Sequence, residues 1–84
     1  MATGTIRYWA AAKAAAGVDE EPYEAATLAE ALAAARERHP GEFVRVLQRC
    51  SFLVDSAPVG GREHETVPLA EGGTVEVLPP FAGG

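Results

Sequence analysis

The stretch TLAEALAAARERHPG, residues 27–41, decides the fold. Thr27 and Glu30 form a capping box: the threonine oxygen accepts from the backbone N–H three residues on, and the glutamate reaches back. Leu28, Leu32 and Ala35 recur at i, i+4 and i+7, which puts them on one face of a helix. Arg36, Arg38 and His39 crowd the last turn, where the helix dipole favours cations, and Pro40 and Gly41 end it. The stretch therefore predicts one capped amphipathic helix running to about His39, whose apolar face needs a partner layer.

Strand patterns on either side supply that layer. In Thr3–Trp9, Ile6 and Tyr8 alternate with Thr5, Arg7 and Trp9. With Ile6 and Tyr8 turned to the core, Trp9 faces outward beside Arg7. Ala10–Ala16 is alanine-rich, is closed by Gly17 and reads as a short helix or turn. A weaker strand, Val18–Ala25, carries Asp19, Glu20, Glu21 and Pro22, the marks of an edge. Beyond the helix, Phe43–Leu47 reads as a helical turn and Ser51–Asp55 as a short buried strand. Asp55–Ser56–Ala57–Pro58 turns the chain toward a further strand near Val59. Gly60–Thr66 is a polar loop, and Gly72–Gly73 leads into the last strand, Thr74–Leu78. There Val75 and Val77 share one face, and Thr74, Glu76 and Leu78 the other.

One helix covering one mixed sheet is an α+β layout. Among small folds this order of elements best suits the β-grasp, the ubiquitin-like roll, with its first and last strands parallel at the sheet centre. Their C-terminal ends then coincide, and outward-facing Trp9 falls beside outward-facing Leu78. The expected division is a β-grasp domain over residues 1–78 and an extended, flexible tail over 79–84.

Composition narrows the function. At 84 residues, 48 % of them hydrophobic, the chain has room for one thin core and no large enclosed substrate cavity. The formal net charge of −5 and scattered arginines argue against nucleic acid. An acidic balance suits docking on a basic partner. No stretch has the length to span a bilayer and no signal sequence opens the chain, so a cytoplasmic location and no membrane contact are expected. The single cysteine, Cys50, permits no internal disulfide and no multi-cysteine zinc site.

Catalytic side-chain arrangements are not signalled. Ser51 and Ser56 lack nucleophile-elbow glycines. Cys50 opens an apolar strand, as a buried structural thiol does. His39 reads as a helix-end cation and His64 as a solvated loop residue. Asp19, Glu20 and Glu21 read as a solvated edge and not a metal site, because consecutive strand residues point to opposite faces. The glycine pairs lack the lysine and spacing of a phosphate loop, so no metal and no intrinsic cofactor is expected.

The C-terminus carries the chemistry. Pro79 and Pro80 favour an extended conformation and stop the strand. Gly83 and Gly84 have no Cβ, so they can thread a narrow channel and present the terminal carboxyl unshielded. Trp9 and Leu78, with Phe81 just beyond, suggest a docking patch.

The chain resembles the β-grasp sulfur-carrier proteins, and most closely the small subunits of molybdopterin synthase. The resemblance runs through Ile6–Trp9, Ala10–Gly17, the Thr27-capped helix, Phe52–Val59 and Pro68–Val75. Its most specific part is Leu78–Pro79–Pro80–Phe81–Ala82–Gly83–Gly84. Asp55–Ser56 departs from the Asn-Gly-type turn frequent there. The resemblance implies a carrier whose reactive group is the Gly84 carboxyl, with Gly83 threading the tail. It implies docking through Trp9, Leu78, Pro79, Pro80, Phe81 and Ala82. An E1-like adenylating enzyme would use ATP and magnesium to form an acyl-adenylate, and a persulfide sulfur donor would convert it to a thiocarboxylate. The large synthase subunit, in an expected heterotetramer, would pass sulfur to a pyranopterin precursor. The carrier itself is then a non-catalytic, sulfur-donating subunit. Alternatives are a carrier for thiamine or cysteine synthesis, a ubiquitin-like interaction module, or a free-standing thiol enzyme using Cys50.

Overall fold

A computed structural model gives the structure of the chain and describes residues 1–80. The elements run β1 (Ala2–Tyr8), α1 (Ala10–Ala16), β2 (Glu20–Ala25), α2 (Leu28–Arg38), α3 (Glu42–Leu47), β3 (Ser51–Val54), β4 (Ala57–Pro58), a 3-10 turn at His64–Thr66, and β5 (Thr74–Leu78). The five strands form one mixed sheet in the order β2-β1-β5-β3-β4. As expected of a β-grasp, β1 and β5 are parallel and adjacent, with Ile6 opposite Val75 and Tyr8 opposite Val77.

The helix that decides the fold forms as its sequence dictates. The Thr27 hydroxyl accepts from the Glu30 N–H at 3.3 Å, and the Glu30 carboxylate accepts from the Ala26 N–H at 2.9 Å. Leu28, Ala31, Leu32 and Ala35 are buried. They pack in one core with Ile6, Tyr8, Val75 and Val77 from the inner face of the sheet. Burying each such leucine is worth about 1.5–3 kcal/mol, so this stripe is what fixes helix to sheet.

Several boundaries differ from expectation, each for a local reason. Trp9 is not the end of β1 but the N-cap of α1; its N–H still reaches the Val77 carbonyl at 3.2 Å, so the strand's last pairing survives one residue past its end. β2 starts at Glu20 and not Val18. α2 keeps its expected end, running to Arg38 with His39 as its C-cap. Phe43–Leu47 is a true short helix, α3, because Phe43 and Leu47, one turn apart, are both buried. The strand expected near Val59 lies at Ala57–Pro58, because Asp55 and Ser56 alone make the turn. Both have positive φ, 50° and 72°, the pairing required of the tightest two-residue hairpin turn. The 3-10 turn at His64–Thr66 interrupts what read as a plain loop.

Gly4 has a packing role that its strand context did not signal. A Cβ there would overlap the Gly73 carbonyl and the Tyr23 ring. The bare backbone lets Tyr23 lie across the sheet and donate its hydroxyl to the Ala70 carbonyl at 2.6 Å.

Candidate functional site

β1 and β5 run parallel and end together, so both deliver their last side chains to one end of the sheet. Leu78, Pro79 and Pro80 leave β5 there. Trp9, Ala10 and Ala11 leave β1 for α1 at the same place, and Ser51 of β3 sits opposite Leu78. These seven residues line an open, mainly apolar groove of about 720 Å³. Of the six residues expected to dock a partner, the structure brings Trp9, Leu78, Pro79 and Pro80 together. Phe81 and Ala82 lie outside the described residues, as do Gly83 and Gly84. Ala10, Ala11 and Ser51 complete the lining and were not anticipated; the coincidence of strand ends was the available signal.

Trp9 is held in place and not merely left exposed. The residue is 41 % accessible. The indole N–H donates to the Glu76 carboxylate at 3.2 Å, and the Arg7 guanidinium lies 5.1 Å from the ring centre. A stacked cation and a hydrogen bond fix an aromatic ring that no core packing restrains. Ala10, the next residue, has φ of 49°, a left-handed conformation that turns the chain abruptly from strand into helix.

The remaining candidates are structural. Cys50 is half-buried and its thiol donates to the Val46 carbonyl at 3.2 Å. Burial pushes that thiol up to about 11, so at neutral pH almost none is thiolate. His64 is half-buried, edge-on to Phe52 at 5.2 Å, and not the solvated residue expected. Asp19, Glu20 and Glu21 do not form a uniformly solvated edge. Glu21 turns inward, only 13 % accessible at its side chain. It accepts from the Tyr8 hydroxyl and from His39 Nε2 at 2.9 Å, and lies 3.4 Å from the Arg38 guanidinium. Burial alone would raise the Glu21 carboxyl, but these donors and the Arg38 charge outweigh it and hold the group below its ordinary range. Burial, then the Glu21 hydrogen bond, drives the Tyr8 phenol far above its own. Among the described residues no group of three or more His, Cys, Asp or Glu is placed to hold a metal ion.

A β-grasp sheet whose parallel central strands open a shared apolar groove defines a ubiquitin-like domain. The chain belongs to the ThiS family, whose profile matches residues 6–84. Its fold is similar to that of small archaeal modifier protein 1 from Methanosarcina acetivorans, at TM-score 0.85 and 18 % identity over 100 % of this chain and 98 % of that one. It is also similar to a protein from Pyrococcus furiosus described as molybdopterin converting factor subunit 1, at TM-score 0.79 and 22 % identity, covering 96 % and 100 % of the two chains. A third likeness is to a chain in the complex of subunits 1 and 2 of the molybdopterin-converting factor of Helicobacter pylori, at TM-score 0.67 and 20 % identity, covering 98 % and 99 %. No functionally curated sequence matches the chain.

Proposed function

We propose that the chain is a sulfur carrier for molybdenum cofactor synthesis, with Gly84 as its reactive terminus. The observation that carries this reading is the groove: Trp9, Leu78, Pro79 and Pro80 converge at the root of the segment that runs to Gly83–Gly84. A docking surface at the base of a thin, unshielded terminus is what a partner needs to draw that terminus into its own active site.

The chemistry follows from the carboxyl. A carboxylate is a poor electrophile until one oxygen becomes a good leaving group. An adenylating partner of the E1-like class, using ATP and magnesium, supplies AMP as that leaving group. The outer sulfur of a persulfide donor displaces AMP to form an acyl disulfide, and a second thiol cleaves its S–S bond, becoming a disulfide with the donor and leaving a Gly84 thiocarboxylate, an anion whose soft sulfur is a good nucleophile. The Cys50 thiol does not compete as a nucleophile, since it is protonated at neutral pH and tied to the Val46 carbonyl. Catalytic groups for sulfur transfer then belong to the partner.

Molybdopterin synthesis is favoured over other acceptors by the Pro79–Pro80 pair ahead of Gly83–Gly84. The Pyrococcus and Helicobacter likenesses support the same direction. The likeness to archaeal modifier proteins supports a second reading, conjugation of the same carboxyl to amines. Acceptor and partner are tested together by reconstitution. The thiocarboxylated chain is mixed with a large molybdopterin synthase subunit and the pyranopterin precursor. Dithiolene formation with return of the Gly84 carboxylate supports the proposal; stable binding without sulfur loss rejects it.

A further inference from the structure

The geometry points to a second binding site, between α2, α3 and β3, that takes a small organic monocarboxylate with a planar apolar body. The inference is independent of the sulfur-carrier reading and of any partner.

A cavity of about 270 Å³ opens where these three elements meet. It exists for a local reason. α3 is short and ends at Leu47, and the chain passes through residues 48–50 before it enters β3 at Ser51. Gly60, also in the lining, has no side chain to fill the gap. Among the described residues nothing but its own chain neighbours lies within 4 Å of where its Cβ would stand. The apolar part of the lining is Leu32, Val44, Leu47 and Phe52, three of them core residues. His64 stands edge-on to Phe52, with ring centres 5.2 Å apart. Two perpendicular aromatic rings therefore border the same space.

The charged part of the lining has one sign. Among the described residues no Asp or Glu borders the cavity, in a chain with 12 acidic residues. Arg36 does border it. Arg7, Arg38 and Arg45 each face a glutamate, whereas Arg36 is paired with no carboxylate among the described residues. The surrounding segment is positive as well: residues 36–49 carry four arginines against two glutamates, although the whole chain has a net charge of −5. Gln48, Ser51 and the His64 ring add hydrogen-bonding groups.

A single fixed cation beside an apolar floor selects the ligand. A guanidinium matches a carboxylate through two parallel N–H···O bonds. Arg36 is the only lysine or arginine of the lining, so one negative charge is matched and a second is not. A phosphate dianion brings that second charge and leaves Leu32, Leu47 and Phe52 uncovered. A planar ring attached to the carboxylate covers them, and meets Phe52 and His64 in the stacked or edge-on contacts that aromatic groups prefer. The volume falls just below the range of drug-sized sites and suits a ligand of one ring.

Benzoate is the probe, titrated into the full isotope-labelled chain at constant ionic strength and followed by amide chemical shifts. The expected result is a saturable shift at Gln48, Ser51, Gly60 and His64. Benzamide keeps the ring and loses the charge, and should bind about tenfold more weakly or worse. Inorganic phosphate should leave these amides unmoved. Arg36 is exposed near the end of α2, so Arg36→Gln should keep the remaining amide positions of the parent and lose benzoate affinity by the same factor. Equal affinity for benzoate and benzamide overturns the proposal, because the cavity is then an apolar cleft without charge selection. So does unchanged benzoate affinity in Arg36→Gln. Phosphate binding as tight as benzoate binding overturns the carboxylate class. Shifts that never saturate, or that centre on Arg45 and Arg49 outside the cavity, overturn the site. Each of these results leaves the sulfur-carrier reading untouched.

Discussion

Ser56 holds a left-handed backbone conformation, φ 72°, without the benefit of being glycine. Its neighbour Asp55 is left-handed as well but has compensation: its carboxylate accepts from the Thr74 N–H at 2.8 Å and its own N–H donates to the Thr74 carbonyl at 2.8 Å. Ser56 is exposed and makes no such bond among those described. Ser56→Gly should therefore stabilise the protein by about 1 kcal/mol, since a left-handed conformation costs an L-residue about that much. Thermal denaturation checks it, and Asp55→Gly should instead destabilise. Cys50 offers a second residue-scale expectation. With its thiol pushed up to about 11, alkylation at neutral pH should be far slower than for a free thiol, and Cys50→Ala should leave sulfur transfer intact. Loss of transfer in that variant would revive the thiol-enzyme alternative.

Among the elements, α2 is fixed at its two ends by different means, a local cap at its start and a join to the sheet at its end. At its start the Thr27–Glu30 box was plain in the sequence, because the residue types and spacing are themselves the interaction. At its end the join is Glu21 on β2, held by Tyr8, Arg38 and His39. That cluster was not legible: its members come from three elements, and an acidic edge strand looks the same whether one carboxylate points in or out. The cluster predicts a pH effect with a definite sign. The folded Glu21 carboxyl lies below its unfolded value, so its stabilisation is fully present above the ordinary glutamate range. It is lost as pH falls through the lower, folded value. Glu21→Gln should lower stability at neutral pH by an amount on the order of 1 kcal/mol, in line with a partly exposed charge-assisted hydrogen bond. It should also flatten the acid limb of the stability profile. Urea denaturation of both proteins at several pH values measures this; parallel acid limbs would contradict it.

At the scale of the whole molecule, the parallel pairing of β1 and β5 matters most, because it alone brings Trp9 to Leu78, Pro79 and Pro80. Alternation within each strand, joined to the parallel first and last strands expected of a β-grasp, was enough to foresee that juxtaposition. The sequence could not reveal the left-handed turn at Ala10, which swings α1 in to form the second wall of the groove, since alanine carries no sign of it. Trp9→Ala should weaken binding to a partner that docks on this groove by about 2 kcal/mol, the scale of an anchoring aromatic. Its effect on thermal stability should be small, because the ring lies outside the core. Calorimetric titration against the adenylating enzyme and a large synthase subunit, with melting curves alongside, separates the two effects. The central claim concerns the terminus, and its most direct test is the intact mass of the protein purified from cells that contain its own activating enzymes. The account predicts a form ending at Gly84 in which one oxygen is replaced by sulfur, absent from a variant lacking Gly84. If only the carboxylate form is found, even after incubation with ATP, the adenylating enzyme and a sulfur source, the chain is not a sulfur carrier.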